Sequence, residues 1–409
     1  MAKPKEQYKK QDNEMSTWFS DADSSYPTIN LNQFKYSDGS TIAGITKICP
    51  WQRERDDIAE FYNDGTVDSF KPVYAGDSPK FTEWVKVDTA GTYKLYVKDN
   101  KLLLSNKKTT NAVDFRDGVI PNRMVLFLQA GGGGGGSSSD VFAAGWCIGG
   151  ANGGAGGSGA AFAVVLNTEL LKVSESNYFE IKVGAGGKGG NWFGHSSQGA
   201  IVLGNGAAYG DSGAAGESSI LTFGDSKNKT ETELIVATGG GAGGRASGYN
   251  TGGPGGGGNV TKKTGSGTYW WPLPCTQGST LHQSCWLNGA SGGTYQHAGG
   301  STAAYVARIT DNSNYYSRSG MYFTLGNKSG GAAGQGEAPG GGASWFANGG
   351  AGGGAASYGN HGSLGSGGGG GRFTYAGHFI GIFVIGMAIV SLAIQGGGNG
   401  GDGCLRLYY

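Results

Sequence analysis

The sequence predicts an all-β protein: a β-rich N-terminal module over residues 1–118, then a glycine-rich β domain over 119–409 with packed polyglycine-type (PPII-like) helices. Three observations lead there. Glycine supplies 84 of the 409 residues, about a fifth, where an ordinary chain has roughly 7%. It is unevenly spread, since Gly39, Gly44, Gly65, Gly76, Gly91 and Gly118 are the only glycines before Gly131. Apolar residues fall in short runs of strand length, and a single segment, 52–62, has the spacing of an amphipathic helix.

Composition excludes several classes. Collagen needs glycine at every third residue and abundant proline; here the period is absent and proline numbers 10. The 17 Phe, 20 Tyr and 9 Trp supply more apolar area than a solvated linker carries. A net charge of +1 gives no field to attract nucleic acid or anionic lipid. Charge runs opposite to glycine: 36 of the 61 charged residues lie in the first 130 positions, so a boundary falls near 121–130.

The first part opens as a polar arm to about Ser25, with no apolar run of a secretory signal after Met1. Residues 28–34 alternate like a half-buried strand, and Asp38-Gly39 reads as a turn. Residues 84–88 and 92–97 flank a turn at Ala90-Gly91, and Asp99-Asn100 turns the chain into 101–104. That alternation predicts an antiparallel meander.

In the second part short apolar strands punctuate glycine tracts. Strands are expected at 124–129, 160–166, 178–183, 220–223, 234–237 and 404–409. Residues 379–394 are the one long apolar stretch. As a helix it would span about 24 Å, short of the roughly 30 Å hydrocarbon core. Its Ile and Val content, broken at Gly386, suits two buried strands and no membrane insertion.

Glycine loses more backbone entropy on folding than any other residue, so such tracts must gain something only glycine allows. A left-handed extended helix with three residues per turn leaves its amides unpaired internally. Without side chains, several of these can lie together and bond laterally through their backbones. Ala and Ser are then the tolerated impurities, and the strands act as clamps.

The run Val119-Ile120-Pro121-Asn122-Arg123-Met124-Val125-Leu126-Phe127-Leu128-Gln129-Ala130 before six glycines resembles the opening strand of the glycine-rich domain of bacteriophage tail fibre and adhesin proteins. Lys182-Val183-Gly184-Ala185-Gly186-Gly187, Gly216-Glu217-Ser218-Ser219-Ile220-Leu221 and the segment 397–409 resemble its later elements, in the same order. The resemblance covers about 119–409. It implies a structural virion protein that mediates host-surface attachment, a homo-oligomer and specifically a homotrimer, assembled in the host cytoplasm. Residues 1–118 have no counterpart in that pattern, and their role as the module that binds other virion proteins rests on position alone.

No catalytic, cofactor or metal site is expected. There is no GxxxxGK followed by Ser or Thr, and chance GxGxxG matches lack a strand–turn–helix context. None of His195, His282, His297, His361 and His378 sits in a nucleophile motif. Cys49, Cys147, Cys275, Cys285 and Cys404 form no CxxC pair and no Cys/His metal spacing. Cys275 and Cys285 are close enough to staple a loop in an oxidising setting; in reducing cytosol they stay thiols.

Two segments stand out as receptor-binding candidates. Tyr269, Trp270, Trp271 and Trp286 sit in a proline-stiffened loop, and Tyr315, Tyr316, Arg318 and Tyr322 in a second. Planar aromatics stack on sugars or fill protein grooves at low entropic cost. The competing reading is that these rings cap the glycine bundle as core. The functional alternatives are a virion component with no receptor, such as a head fibre, collar or tail assembly protein, and an extracellular ligand-binding domain of a cellular receptor.

Overall fold

The computed structural model describes residues 29–30, 47–48, 83–106, 110–112, 120–143, 146–191, 206–277, 280–308, 322–334, 338–353, 358–372 and 396–408. The expected polar arm, the helix at 52–62 and the apolar stretch 379–394 lie outside the described residues. The chain divides into two units, Met1–Lys80 with Ile309–Met321, and Phe81–Arg308 with Tyr322–Tyr409. In the first, β1 (Ile29–Asn30) pairs antiparallel with β2 (Lys47–Ile48).

The second unit is all-β apart from one short helix among the described residues. Its elements begin with β3 (Glu83–Val87), β4 (Gly91–Lys98), β5 (Lys101–Ser105), β6 (Thr110–Ala112), β7 (Arg123–Gln129), β8 (Ser139–Ala143), β9 (Trp146–Ala151) and β10 (Ala161–Asn167). After the helix α1 (Glu169–Val173) come β11 (Asn177–Val183), β12 (Gly206–Tyr209), β13 (Ser219–Asp225), β14 (Thr230–Ala237), β15 (Val260–Lys263) and β16 (Trp270–Pro272). The last are β17 (Cys275–Gln277), β18 (Thr280–His282), β19 (Cys285–Leu287), β20 (Ala304–Arg308), β21 (Tyr322–Gly326) and β22 (Cys404–Tyr408).

Seven strands form one antiparallel sheet, β15-β14-β13-β11-β4-β5-β6. A second sheet runs β16-β10-β7-β22-β3, with β19 also paired to β10. Leu95, Phe179, Ile181 and Leu221 from the first and Met124, Leu126, Leu128, Phe162, Val164, Leu405 and Leu407 from the second belong to one buried cluster. The two sheets therefore share a core as a sandwich. In β7 every residue after Arg123 is buried, which explains its unbroken apolar run at the centre of its sheet. In β4, by contrast, Tyr93, Leu95 and Val97 face the core while Thr92, Lys94 and Lys98 are exposed.

The expected meander forms in part. β4 and β5 make a hairpin through Asp99 (φ 49) and Asn100 (φ 57), the left-handed pair that a two-residue hairpin turn requires. β3 does not join it, because β3 pairs with the C-terminal β22 in the other sheet. Residues 88–90 thus cross from sheet to sheet. β4 also pairs with β11 from beyond position 119, so β3–β6 share sheets with the glycine-rich half and the compact unit starts at Phe81.

Beyond the strands, the glycine tracts bond to one another through their backbones. Residues 130, 133 and 136 donate to carbonyls of 160, 157 and 154; residues 131, 134 and 137 donate to 217, 214 and 211; residues 132 and 135 donate to 401 and 398. Three further tracts donate inward, from 187 and 190, 240 and 243, and 368 and 371. Every third residue thus faces the same neighbour, and 131–136 is enclosed on all sides. A Cβ on any of these six glycines would come within 3.0 Å of a neighbouring carbonyl oxygen. Tracts 153–159, 340–342 and 367–371 are enclosed in the same way, and they too carry only Gly, Ala or Ser.

Gln129 joins sandwich to tracts. It is fully buried at the end of β7, its Nε2 donates to the Gly159 carbonyl at 2.7 Å, and its Oε1 accepts from the Trp345 amide at 3.3 Å. Its own carbonyl accepts from Ser219 Oγ at 3.0 Å. Two smaller sheets, β12-β8-β9 and β18-β17-β20-β21, complete the unit.

Candidate functional site

The first aromatic segment is divided by strand geometry. Successive side chains of a strand point to opposite faces, so in β16 Trp270 turns inward opposite Leu166, and Trp271 outward opposite Val165. Trp270 is 3% exposed. Its Nε1 donates to the Thr264 carbonyl at 2.7 Å and its ring meets Trp286 edge-on at 5.5 Å. A ring so placed offers no face to a ligand; its bulk and its N–H are both used internally. Trp286, half-buried, also packs near Phe162 at 6.3 Å, and the Lys263 ammonium sits 4.7 Å over its ring. The Arg123 guanidinium stands 4.6 Å over Trp271. Tyr269 packs on the core with its ring 4.6 Å from Phe223. The tryptophan pair is therefore a seam of the sandwich, which explains why two large rings occur in an otherwise small-residue region.

In the second segment, Tyr322 lies in β21, paired with Arg308. Tyr315, Tyr316 and Arg318 lie outside the described residues. Tyr305 links this sheet to the bundle: its ring is 5.1 Å from Trp345 and 5.4 Å from His282, and its hydroxyl bonds Gln277 at 2.8 Å. Burial and the neighbouring thiols Cys275 and Cys285 hold its hydroxyl above the usual tyrosine range. Both thiols are free and fully buried, and they hydrogen-bond each other. That bond, with burial, pushes the Cys285 thiol up, while it lowers Cys275.

Sequence reasoning missed a different set of residues. Val173, Tyr249, Tyr295 and Tyr358 are the exposed large hydrophobic residues among those described, and the three tyrosines are 62%, 44% and 51% exposed. All three sit at the tract ends away from the sandwich. Tract 131–136 leaves β7 at Gln129 and climbs to Ser137, whose carbonyl accepts from Ala246. Tyr249 lies just beyond, in the turn closed by the Ser247–Asn250 pair. Tyr295 occupies the turn where the His297 amide bonds back to Thr294, after Gly292 has bonded Gly255. Tyr358 precedes Gly359, which bonds Gly396 beside the Gly190–Gly135 level. The available signal was each tyrosine's place in a polar turn, with Gly248 (φ 59) and Gln296 (φ 65) as the left-handed residues of two of these turns.

Among the described residues no group of three or more His, Cys, Asp and Glu is placed to hold a metal ion. No described helix is long and apolar enough to cross a membrane. No family model matches the chain, and no curated protein matches it in sequence.

Proposed function

We propose that this chain is a non-enzymatic structural virion protein of a bacteriophage tail, of the fibre or adhesin type, that attaches the particle to a host-surface receptor. The tracts act in this reading as packed polyglycine-type helices. Supporting that assignment are the three-residue bonding period and the lateral destination of the amides. Such a bundle is a stiff platform, since each tract is held by backbone bonds to its neighbours and no loop entropy remains to be lost on binding.

The observation that carries the reading is the exposure of Tyr249, Tyr295 and Tyr358 at the far end of this platform. Tyrosine presents a rigid apolar face and a hydroxyl to a glycan or protein surface. The N-terminal 118 residues bind other virion proteins in this reading, an assignment that rests on their position in the chain. A trimer follows from the family resemblance.

The test replaces all three tyrosines by alanine in the intact particle. Adsorption to host cells is expected to fall at least about tenfold, as for loss of interface hot spots, with particle yield and melting temperature unchanged. Unchanged adsorption would assign the protein to scaffolding. Hydrogen exchange tests the platform separately: the amides of 131–136 should be as protected as those of β7, and exchange at denatured-peptide rates would dissolve it.

A further inference from the structure

Cys275 and Cys285 belong to different sheets. Cys275 lies in β17, between β18 and β20 in the four-stranded sheet, opposite His282 and Ala307. Cys285 lies in β19, opposite Ala163 on the edge of the six-stranded sheet. The chain brings them together by a backbone bond from the Cys285 amide to the Leu273 carbonyl at 2.8 Å. Cys275 Sγ then lies 3.8 Å from the Ser284 carbonyl, one residue from its partner. A buried thiol pair in contact needs little backbone movement to become a disulfide. Cys404 is buried on β22, which lies inside its sheet between β7 and β3.

We infer that Cys275 and Cys285 are a disulfide-forming pair, and that closing the bond ties the four-stranded sheet to the sandwich. The inference stands independently of host attachment. The reaction needs a two-electron oxidant, and a low-molecular-weight disulfide such as oxidised glutathione supplies it. One protein thiolate attacks a glutathione sulfur, breaking its S–S bond and releasing one glutathione thiolate, which takes up the proton the thiol lost. The second protein thiolate attacks the mixed disulfide, forming the Cys275–Cys285 bond and releasing the other glutathione. Two protein thiols are oxidised and one glutathione disulfide is reduced. In reducing cytosol the pair stays open, and it closes outside.

The experiment uses the full chain in glutathione redox buffers, both as native protein and during refolding from denaturant in the same buffers. Acid quenching, alkylation and peptide mapping follow. Oxidising buffer should give a chain lighter by two hydrogens, with the peptides carrying Cys275 and Cys285 linked to each other and Cys404 still alkylated. Dithiothreitol should reverse this, and the oxidised form should melt at higher temperature. In Cys275→Ser and Cys285→Ser variants the remaining member should stay alkylatable or carry glutathione, and the melting shift should vanish. Full alkylation of both residues after refolding in excess oxidised glutathione, or linkage of either to another cysteine, would overturn the inference.

Discussion

Leu126 and Gly133 lie on one continuous stretch of chain, and both are buried, but by opposite means. Around Leu126 the space between two sheets is filled by interlocking side chains, and burial of apolar area supplies the stabilisation, roughly 25 cal/mol per Å². Around Gly133 the space is filled by backbone. Its amide donates to Gly157, its carbonyl accepts from Gly368, and the Gly241 carbonyl occupies the place of a Cβ. There stabilisation comes from satisfied backbone groups, about 0.5–1.5 kcal/mol net for each bond, and from dispersion between closely packed chains. A side-chain core fails when atoms are removed. A backbone core fails when they are added.

The largest expected effect follows from that asymmetry. Gly133→Ala places one methyl against a carbonyl that is itself held by further tracts, so neither side can yield. We expect a loss of at least about 4 kcal/mol, the range reserved for specific packing failures, seen as loss of the cooperative melting transition. A variant melting within a degree or two of the parent would show that the bundle is loose.

Phe162→Ala is the matching test in the sandwich. The ring is 1% exposed, faces the shared core and packs near Trp286. Its removal should cost about 3–5 kcal/mol in denaturant titration, with hydrogen-exchange protection retained in 131–136 longer than in β10 as unfolding begins. Equal loss of protection in both regions would make sandwich and bundle one cooperative unit.

These two residues also mark what was legible in the sequence. β7, β10, β11, β13, β14 and β22 each stood out as apolar runs, because a buried strand has to carry its own side chains into the core. Their partners did not stand out. The β3–β22 pair joins residues some 320 positions apart, and nothing local encodes that choice. Among the tracts the difficulty is deeper, since one glycine is chemically identical to the next and no side chain specifies a neighbour. What sets the register is the strands at the tract ends and anchors such as Gln129, Asn399 (Oδ1 accepting from the Gly189 amide) and Asp402 (Oδ1 accepting from Gly186). The candidate site was legible only in part for a related reason. Trp270 and Trp271 drew notice together through size, yet only Trp270 turns inward, to meet Trp286, and Tyr249, Tyr295 and Tyr358 are isolated aromatics in the sequence.

A pH series separates the two regions by a smaller effect, because backbone amides do not titrate and sandwich side chains do. The Tyr178 hydroxyl donates to Glu231 Oε1 at 2.6 Å, and that bond, with burial and the carboxylate's charge, raises its pKa from 10.0 to about 12. The fold thus favours the protonated form. Its contribution is whole below pH 10 and is lost as pH climbs through about 12. Tyr178→Phe should remove that part of the alkaline decline and leave neutral-pH melting slightly lower. An identical alkaline profile in the variant would remove Tyr178 from the account.

The smallest effect carries the opposite sign. Gly253 is exposed on the outer tract 252–258, no heavy atom lies within 4 Å of the position a Cβ would take, and its φ is outside the left-handed region. Its carbonyl accepts from Gly244, a bond an added methyl leaves untouched. Gly253→Ala therefore changes mainly the unfolded chain, which loses conformational freedom, and should stabilise by about 0.4–1 kcal/mol. The same substitution that breaks the enclosed tract at Gly133 should then raise the melting temperature slightly at the rim. If both variants lowered stability, glycine would be required for something other than close approach, and the division between enclosed and outer tracts would have no energetic meaning.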